Sequence, residues 1–547
     1  MSTFGIDLGT TYSCIATLDR NGMPEVIHNQ VDASDTLASA IFFETADNII
    51  IGNSAKDMIE TDGDRVVQYV KREIGKDNAK TWEYFGHTYN AVEASALILK
   101  RLKQIAEEQG HTVDNVVITV PAYFGISERE ATRQAGESIG LNVLNLINEP
   151  TAAALAFCNG QFQEDRTIMV YDLGGGTFDV TIVKMSVSVN GDGNQVQQVK
   201  VVASGGNDLL GGKDWDDLLF DHILNACCEE NGLTPDDIDV ETRQMIRSRV
   251  EVTKKKLTNS ESAKVKIAVN GSMTNLTVTR EEFESMSAHL VAQTMNYVES
   301  VLASVNGMDM DVVLLVGGST YMPMIRNAVE ARFPGKVQVH EPDRAVAMGA
   351  AICANMLVED STGSGSTDRD TDSTDRDTDS TDNDRTEVTS GPGTTFIDTA
   401  SRSFGPGILD SNMEYVVDNL IKKGADMPAL AVKMYGTVAN NQTKIELKVF
   451  EDMSTADTVV PCIDARGNEQ PCNPADMVKY LGELEMTLPP NTPKGTPIEV
   501  TFQHDAGGVY VKAVNMSNGD LVETTINFKN AVEVDESLLN SIAVFGE

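Results

Sequence analysis

FGIDLGTTYS (4–13) and VYDLGGGTFD (170–179) are two versions of one phrase. Each runs as an apolar strand, an Asp, a Leu, a glycine turn, a Thr and a second β-rich stretch. An echo of this kind predicts two similar lobes, each presenting a β-hairpin. A glycine-rich hairpin lets backbone N–H groups approach phosphate oxygens with no Cβ in the way. Gly9, Thr10, Thr11 and Tyr12 in the first turn, and Gly174, Gly175, Gly176 and Thr177 in the second, are therefore candidate nucleotide-binding residues. The hydroxyls of Thr10, Thr11 and Thr177 add donors. Asp7 and Asp172 end their strands just ahead of the turns. There a carboxylate can hold the waters of Mg²⁺, an ion that keeps several of its waters and prefers carboxylate oxygens. Either DLG alone is an ordinary tight turn; two in register favour paired phosphate loops.

Around these loops, residues 1–356 alternate short β-rich runs with helical patterns, as an α/β domain does. Phe4–Asp7, Val116–Val120, Thr167–Asp172 and Val312–Val316 read as strands, and Ala91–Gln109 and Arg243–Leu257 as helices. Residues 357–395 change character. STDRDTD (366–372), STDRDTD (373–379) and STDNDRT (380–386) form a three-copy repeat with no apolar residue, which predicts a disordered acidic Ser/Thr/Asp linker. Its Asp cluster lacks the glycine turn and terminal Glu of an EF-hand. From 396 to 534 several short strands with turn signals predict a small β-sandwich. Asp535–Ile542 looks helical but is too short to be stable alone, so 535–547 reads as a short C-terminal tail.

The chain has 547 residues, enough for two to four domains, with 41% hydrophobic and 23% charged residues, the balance of a soluble globular protein. Its formal net charge of −39 repels phosphate backbones and argues against a nucleic-acid partner. The repeat contributes only −5 of that, eight Asp against three Arg over 366–386, so the acidity is spread along the chain. MSTFGIDLGTTYS has no basic n-region and no apolar core, and no apolar run is long enough to span a bilayer, so neither a signal peptide nor a membrane segment is expected. Seven scattered Cys, mostly in apolar runs, suggest reduced thiols in a cytoplasmic protein. Cys227 and Cys228 lack zinc-ligand spacing, and Cys462 and Cys472 leave a local disulfide open.

Further motifs make a family resemblance specific. GIDLGTTYS (5–13) resembles the first phosphate motif of Hsp70 chaperones, and VITVPAYF (117–124) their first connecting segment. LNVLNLINEPTAAALAF (141–157) and VYDLGGGTFDVTIV (170–183) are similar to two family signatures. LLVGGSTYMP (314–323) resembles the adenosine motif and EPDRAVAMGAA (341–351) the second connecting segment. They follow in family order over 1–356. The resemblance implies the two-lobed actin-like ATPase fold, with ATP or ADP and Mg²⁺ as cofactors and K⁺ as a further candidate.

Carried over residue by residue, the resemblance puts Lys71, in VKREIG (70–75), at the catalytic lysine. Glu149 takes the place of the acid that organises metal and water; Asp172 and Thr177 complete the catalytic set, and Asp179 closes the second loop's phrase. Pro121 and Arg129 match a pair that relays nucleotide state between domains. Glu251, Lys254, Lys255 and Thr258 fall on one helical segment at the adenine pocket. Gly205 and Gly206 resemble a glycine pair near ribose and phosphates, Gly317 and Gly318 the glycines under the nucleotide, and Asp343 a downstream aspartate. The family clamps adenine between arginine-like side chains; here Lys255 and Tyr321 stand there, and Lys is the poorer planar partner.

The second half resembles the family's peptide-binding domain more loosely, through FIDTASRSFGPGI (396–408), YVVDNLIKKGADMP (415–428), KIELKVFED (444–452) and LPPNTPKGTPIEVTFQHDAGGVYVKAV (488–514). Val417, Tyr435, Val438, Ile445 and Leu447 fall near the peptide groove in this alignment, although an alternating strand buries one face in any case. There are two departures. The leucine-rich linker is reduced to Phe396-Ile397-Asp398, and no helical lid follows Val534. Both point to weak interdomain coupling and fast peptide release. The resulting reading is an ATP-hydrolysing, Hsp70-like chaperone of protein folding and the stress response. Its expected partners are unfolded peptide segments, J-domain proteins and nucleotide-exchange co-chaperones. The rivals are a nucleotide-gated binding module with little turnover and a small-molecule kinase of the same fold.

Overall fold

The structure is a computed structural model. It describes residues 2–31, 33–76, 79–158, 164–189, 195–363, 389–390, 394–397, 399–452, 458–459, 478–505, 508–526 and 533–546. The acidic repeat and the Cys462/Cys472 pair lie outside them. The chain forms two compact units: Met1–Ser188, Val201–Val358 and Ala531–Glu547 make unit one, and Val189–Lys200 and Glu359–Asn530 make unit two.

Unit one contains two sheets of the same plan. In the first lobe, Thr3–Asp7 lies between Asn115–Val120, to which it is parallel, and Tyr12–Leu18, to which it is antiparallel; Asn142–Asn148 and Pro24–Val26 flank them. In the second lobe, Arg166–Leu173 lies between parallel Val312–Val316 and antiparallel Phe178–Val189, with Val337–Val339 beyond the former. The echo in sequence is thus a duplication in topology. Both central strands are buried at consecutive positions, because both faces of each sheet are covered. Phe4, Ile6 and Leu8 are buried in one core, and Met169, Tyr171 and Leu173 in a second. Helix Ala91–Glu107 covers the first sheet and starts at a capping box in which Asn90 and Glu93 satisfy each other's backbone amides.

A smaller sheet in the first lobe joins Val66–Gln68, Ala40–Phe43 and Asn48–Ile51. Its fourth strand is Ala543–Phe545, parallel to Asn48–Ile51. The segment read as a short C-terminal tail is part of unit one: Leu539, Ile542 and Val544 join the first-lobe core. The short helix Glu536–Ser541 owes its stability to that docking, which local sequence does not reveal.

Helix Ala345–Gly363 runs past the boundary expected at 356. In unit two, Thr394–Ile397 pairs in parallel with residues 197–200, Phe396 opposite Val199 and Ile397 opposite Lys200. The end of the linker is thus a strand. Backbone pairing needs no leucine-rich side chains, so the polar character of this stretch does not prevent it. Two antiparallel sheets follow. One runs in the order Thr458–Val459, Tyr415–Asp418, Ser403–Leu409, Lys444–Asp452, Val478–Thr487, and the other Ala429–Gly436, Pro497–Asp505, Gly508–Asn515, Leu521–Ile526. The Phe404 ring meets His504 of the other sheet edge-on, with centroids 4.7 Å apart.

Candidate nucleotide site

In unit one the two glycine turns face each other. A Cβ on Gly175 would sit 2.0 Å from Thr11 Oγ1, and one on Gly176 2.3 Å from Thr10 Cγ2. Glycine is required here by the approach of one lobe to the other as well as by any phosphate. The first turn is braced by Gly9 N–H donating to Ser13 Oγ at 3.1 Å and by Ser39 Oγ donating to Gly9 O at 2.8 Å. In the second, Arg72 Nε and Nη2 donate to Gly176 O at 3.0 and 2.6 Å, and Ser319 Oγ donates to Gly174 O at 2.8 Å.

Beneath the turns lies a buried charge cluster. Lys71 Nζ donates to Glu149 Oε1, with side chains only 6% and 8% exposed. Thr119 Oγ1 donates to Asp7 Oδ1 at 3.0 Å. Asp172 and Asp179 are buried beside them, and neither carboxylate oxygen of Asp179 has a hydrogen-bond partner among the described residues. Burial, then the Glu149 charge, raises Asp7 to about 7 and pushes Asp172 and Asp179 well above the usual carboxylate range. For Lys71, burial acts to lower the pKa but the Glu149 and Asp7 charges outweigh it, so the ammonium is held more firmly. Four acids against one ammonium leave the centre short of positive charge. Among the described residues no three His, Cys, Asp or Glu stand together as ligands of a bare metal. A set of buried carboxylates short of positive charge would suit a cation that keeps its water shell, as Mg²⁺ does; Asp7 and Asp172 would be the residues to hold those waters, with Asp179 beside them. Asp179 was legible as the final Asp of the echoed phrase.

Above the turns, Tyr12 is a hub. Its hydroxyl donates to Glu251 Oε1 at 2.8 Å and accepts from Lys56 at 3.1 Å and Lys255 at 2.9 Å, the two ammonium groups standing 4.9 and 4.6 Å from its ring centre. Lys56 and Lys255 also pair with Glu251 directly. Burial alone would raise the Glu251 pKa; the two lysines reverse that and hold it far below normal. Lys255 is therefore engaged by Tyr12 and Glu251 rather than free to cover a base. Tyr321 is 43% exposed and donates to Asp343 Oδ1 at 3.2 Å. Lys254 donates to Gly212 O at 2.9 Å, and Thr258 Oγ1 to Lys254 O at 3.2 Å. Gly317, with φ of 83°, lies against Leu173 O and Asp172, and Gly318 follows it in a short 3₁₀ turn.

Gly205 and Gly206 lie in the strand Gln195–Asn207, where a Cβ on Gly205 would meet Val301 and one on Gly206 the Phe178 carbonyl and Asp179. The pair that crosses the second turn is Gly211–Gly212. A Cβ on Gly211 would lie 2.5 Å from Gly176 C, and Gly212 N–H donates to Gly174 O at 2.9 Å. The two pairs are six residues apart in GGNDLLGG (205–212), and spacing alone does not separate them. Lys56 carries no sequence signal; only folding brings it to Glu251.

Pro121 and Arg129 connect back to the cluster. Phe124 N–H donates to Pro121 O at 3.1 Å, Arg129 Nε donates to Phe124 O at 3.0 Å, and Arg129 Nη2 reaches Asn148 Oδ1, the residue before Glu149. In unit two the five candidate peptide residues do not share one surface. Val417 is 0% exposed among Phe450 and Val459, and Leu447 is buried; both are interior residues. Tyr435 donates to Asp418 Oδ2 at 2.8 Å, Ile445 is half-buried, and Val438 is 40% exposed.

Two lobes of one topology, meeting through glycine turns over a buried Lys–Glu pair and under-neutralised aspartates, define a two-lobed, actin-like ATPase fold. The Hsp70 protein family model matches residues 3–366, and the chain belongs to the Hsp70 family. That family comprises chaperones with ATPase activity, which bind ATP or ADP with Mg²⁺ and act on unfolded polypeptides together with co-chaperones. Among the described residues no helix is long and apolar enough to cross a membrane.

Lys56 predicts a measurable effect. Lys56→Ala removes its contact across the top of the cleft, the pair with Glu251, and release of fluorescent ADP is expected to quicken by about tenfold, the worth of one charged hydrogen bond. Stopped-flow release checks this; an unchanged rate removes Lys56 as a latch.

Proposed function

We propose that this chain hydrolyses ATP in the cleft of unit one and that unit two, read as a β-sandwich, holds extended segments of unfolded polypeptide, with weak coupling between the two. The observation that carries the reading is the buried Lys71–Glu149 pair beside Asp7, Asp172 and Asp179. In this reading Lys71 stabilises charge on the transferring phosphoryl group and positions the attacking water, and Glu149 fixes the lysine. Backbone amides of the two turns, with Thr10, Thr11 and Thr177, orient the phosphates. Mg²⁺, when bound with ATP, neutralises phosphate charge; the aspartates hold its waters. Arg129 and Pro121, joined to Glu149 through Asn148, are the proposed relay. The direct test is ATP turnover with and without an unfolded peptide: turnover with modest stimulation is expected.

A second reading, a nucleotide-gated binding module with little turnover, is favoured by the engagement of Lys255 with Glu251 and by the exposed Tyr321. Tight ATP binding without phosphate release would select it. Membership of the Hsp70 family disfavours the small-molecule kinase.

The peptide site has its own test. Val438→Ala and Ile445→Ala are expected to speed release of a labelled extended peptide without lowering thermal stability. Val417→Ala should instead destabilise unit two by about 2 kcal/mol, from lost buried methyl groups. Equal effects of all three on release alone would contradict this division.

A further inference from the structure

The segment Glu533–Gly546 is built into the first lobe along its whole length. At its start, Asn90 Nδ2 donates to Glu533 O at 3.1 Å, and Asp535 N–H donates to Glu93 Oε1 at 3.0 Å. Lys100 Nζ then donates to Leu539 O at 2.6 Å and to Ile542 O at 2.8 Å, satisfying carbonyls at the end of the short helix. Leu539, Ile542 and Val544 are 0%, 2% and 5% exposed. Ala543, Val544 and Phe545 pair in parallel with Asn48, Ile49 and Ile50.

The strand they pair with is placed where it can matter for nucleotide. Asn48–Ile51 runs through Gly52 directly into the helix Asn53–Asp57, which carries Lys56. The next helix, Ile59–Asp62, carries Glu60, which pairs with Arg249 at 2.9 Å and accepts from Ser248 Oγ at 2.5 Å on the same helix as Glu251. With the C-terminal strand gone, Asn48–Ile51 becomes a sheet edge with open backbone groups, and Ile49 and Ile51 lose Val544 as a neighbour in the core.

We infer that Glu533–Gly546 is a strap that completes this sheet in cis and holds the Lys56–Glu251 latch closed, slowing nucleotide release; the second clause rests on the nucleotide reading proposed above. The recognised ligand is a segment of the chain itself, in which Leu539 from the last turn of the short helix and Ile542 and Val544 around the strand supply the buried side chains. Because the chain passes from unit two, which ends at Asn530, into this strap, the latch has a covalent connection to unit two that bypasses the acidic repeat.

The test uses the full chain with Leu539→Asp and Val544→Asp together, and Lys100→Ala as a milder variant that leaves the core intact. Hydrogen exchange is read at 48–51, 53–57 and 533–546, and fluorescent ADP release is followed in parallel. In the parent all three segments are expected to be protected. In the double variant all three lose protection, ADP release quickens by about tenfold, as for Lys56→Ala, and a peptide spanning 533–547 added in trans slows it again. Lys100→Ala gives a smaller change in the same direction. Exchange of 533–546 in the parent as fast as in the free peptide overturns the strap. Loss of protection at 533–546 with 53–57 and ADP release unchanged overturns its control of the latch. Protection that depends on protein concentration shows exchange between copies and overturns the cis assignment. Failure of the parent to bind ADP would defeat the nucleotide reading instead, while exchange at 53–57 still decides whether the strap holds the latch helix.

Discussion

Lys71→Ala slows ATP hydrolysis by about 10²-fold to 10³-fold while ATP binding changes little, the usual consequence of removing a preorganised charge that acts on the transition state. The lysine is buried and paired with Glu149, so its ammonium is fixed before ATP arrives and costs no reorganisation during reaction. Its removal also leaves Glu149 without a partner among three further acids. Breaking one side of a buried pair destabilises by about 3–5 kcal/mol, so the ligand-free variant melts earlier. The two effects separate experimentally: thermal unfolding with Mg²⁺ and ATP shows that the variant is folded and loaded, and single-turnover hydrolysis then reads the chemical step alone. Lys71→Arg is not expected to restore the rate, because a planar fork cannot replace a compact point charge in a closed site. A single-turnover rate equal to that of the parent takes Lys71 out of the mechanism.

The second large effect joins metal and proton. Asp7 has a pKa of about 7 in the metal-free protein, raised by burial and by Glu149. Below that value it carries a proton that Mg²⁺ must displace. Binding of Mg²⁺ with ATP is therefore expected to weaken as pH falls through about 7. Asp7→Asn should flatten this dependence and raise the Mg²⁺ requirement at pH 8; Asp172→Asn should raise it likewise. The stability of the metal-free protein follows from the same shift. A carboxyl whose folded pKa is raised binds more protons folded than unfolded between the unfolded value of 3.8 and the folded value near 7. Its contribution to stability is greatest at low pH and is lost as pH rises through that window. Thermal unfolding from pH 5 to pH 8 without nucleotide should fall more steeply for the parent than for Asp7→Asn; parallel curves would refute the assignment.

The two glycine turns were readable because their pattern is local. A glycine turn after an Asp-ended strand is written in consecutive residues, and repeating it predicted two similar lobes, each presenting a β-hairpin. Asp7 and Asp172 were nameable in the same way, at the ends of their strands, whereas Lys71 and Glu149 were named only through the family resemblance. Asp179 stood in the echo, but that its two oxygens have no partner among the described residues became visible only when burial was known. Gly205–Gly206 and Gly211–Gly212 show the limit: the sequence does not say which neighbours each pair meets, and only the fold brings Gly206 to Asp179 and Gly211 to Gly176. Val417 and Leu447 show another, since alternation marks a strand with one buried face without saying whether that face is core or groove.

By itself the sequence determined the two-lobed plan, the paired glycine turns and the Hsp70 resemblance, because hydrophobic runs, glycine turns and motif residues act over a few neighbours; the lysine and acid were expected from that resemblance. Tertiary structure alone decided which groups from distant segments meet. It set Lys56 and Lys255 on Tyr12 and Glu251, paired residues 394–397 with 197–200, and seated Val544 beside Ile49 in the first-lobe core. A six-residue helix and a three-residue strand have no stability of their own; they exist at the C-terminus because burial of Leu539, Ile542 and Val544 and pairing with Asn48–Ile51 supply it. No local pattern encodes that, since the surface that stabilises them is more than four hundred residues away along the chain.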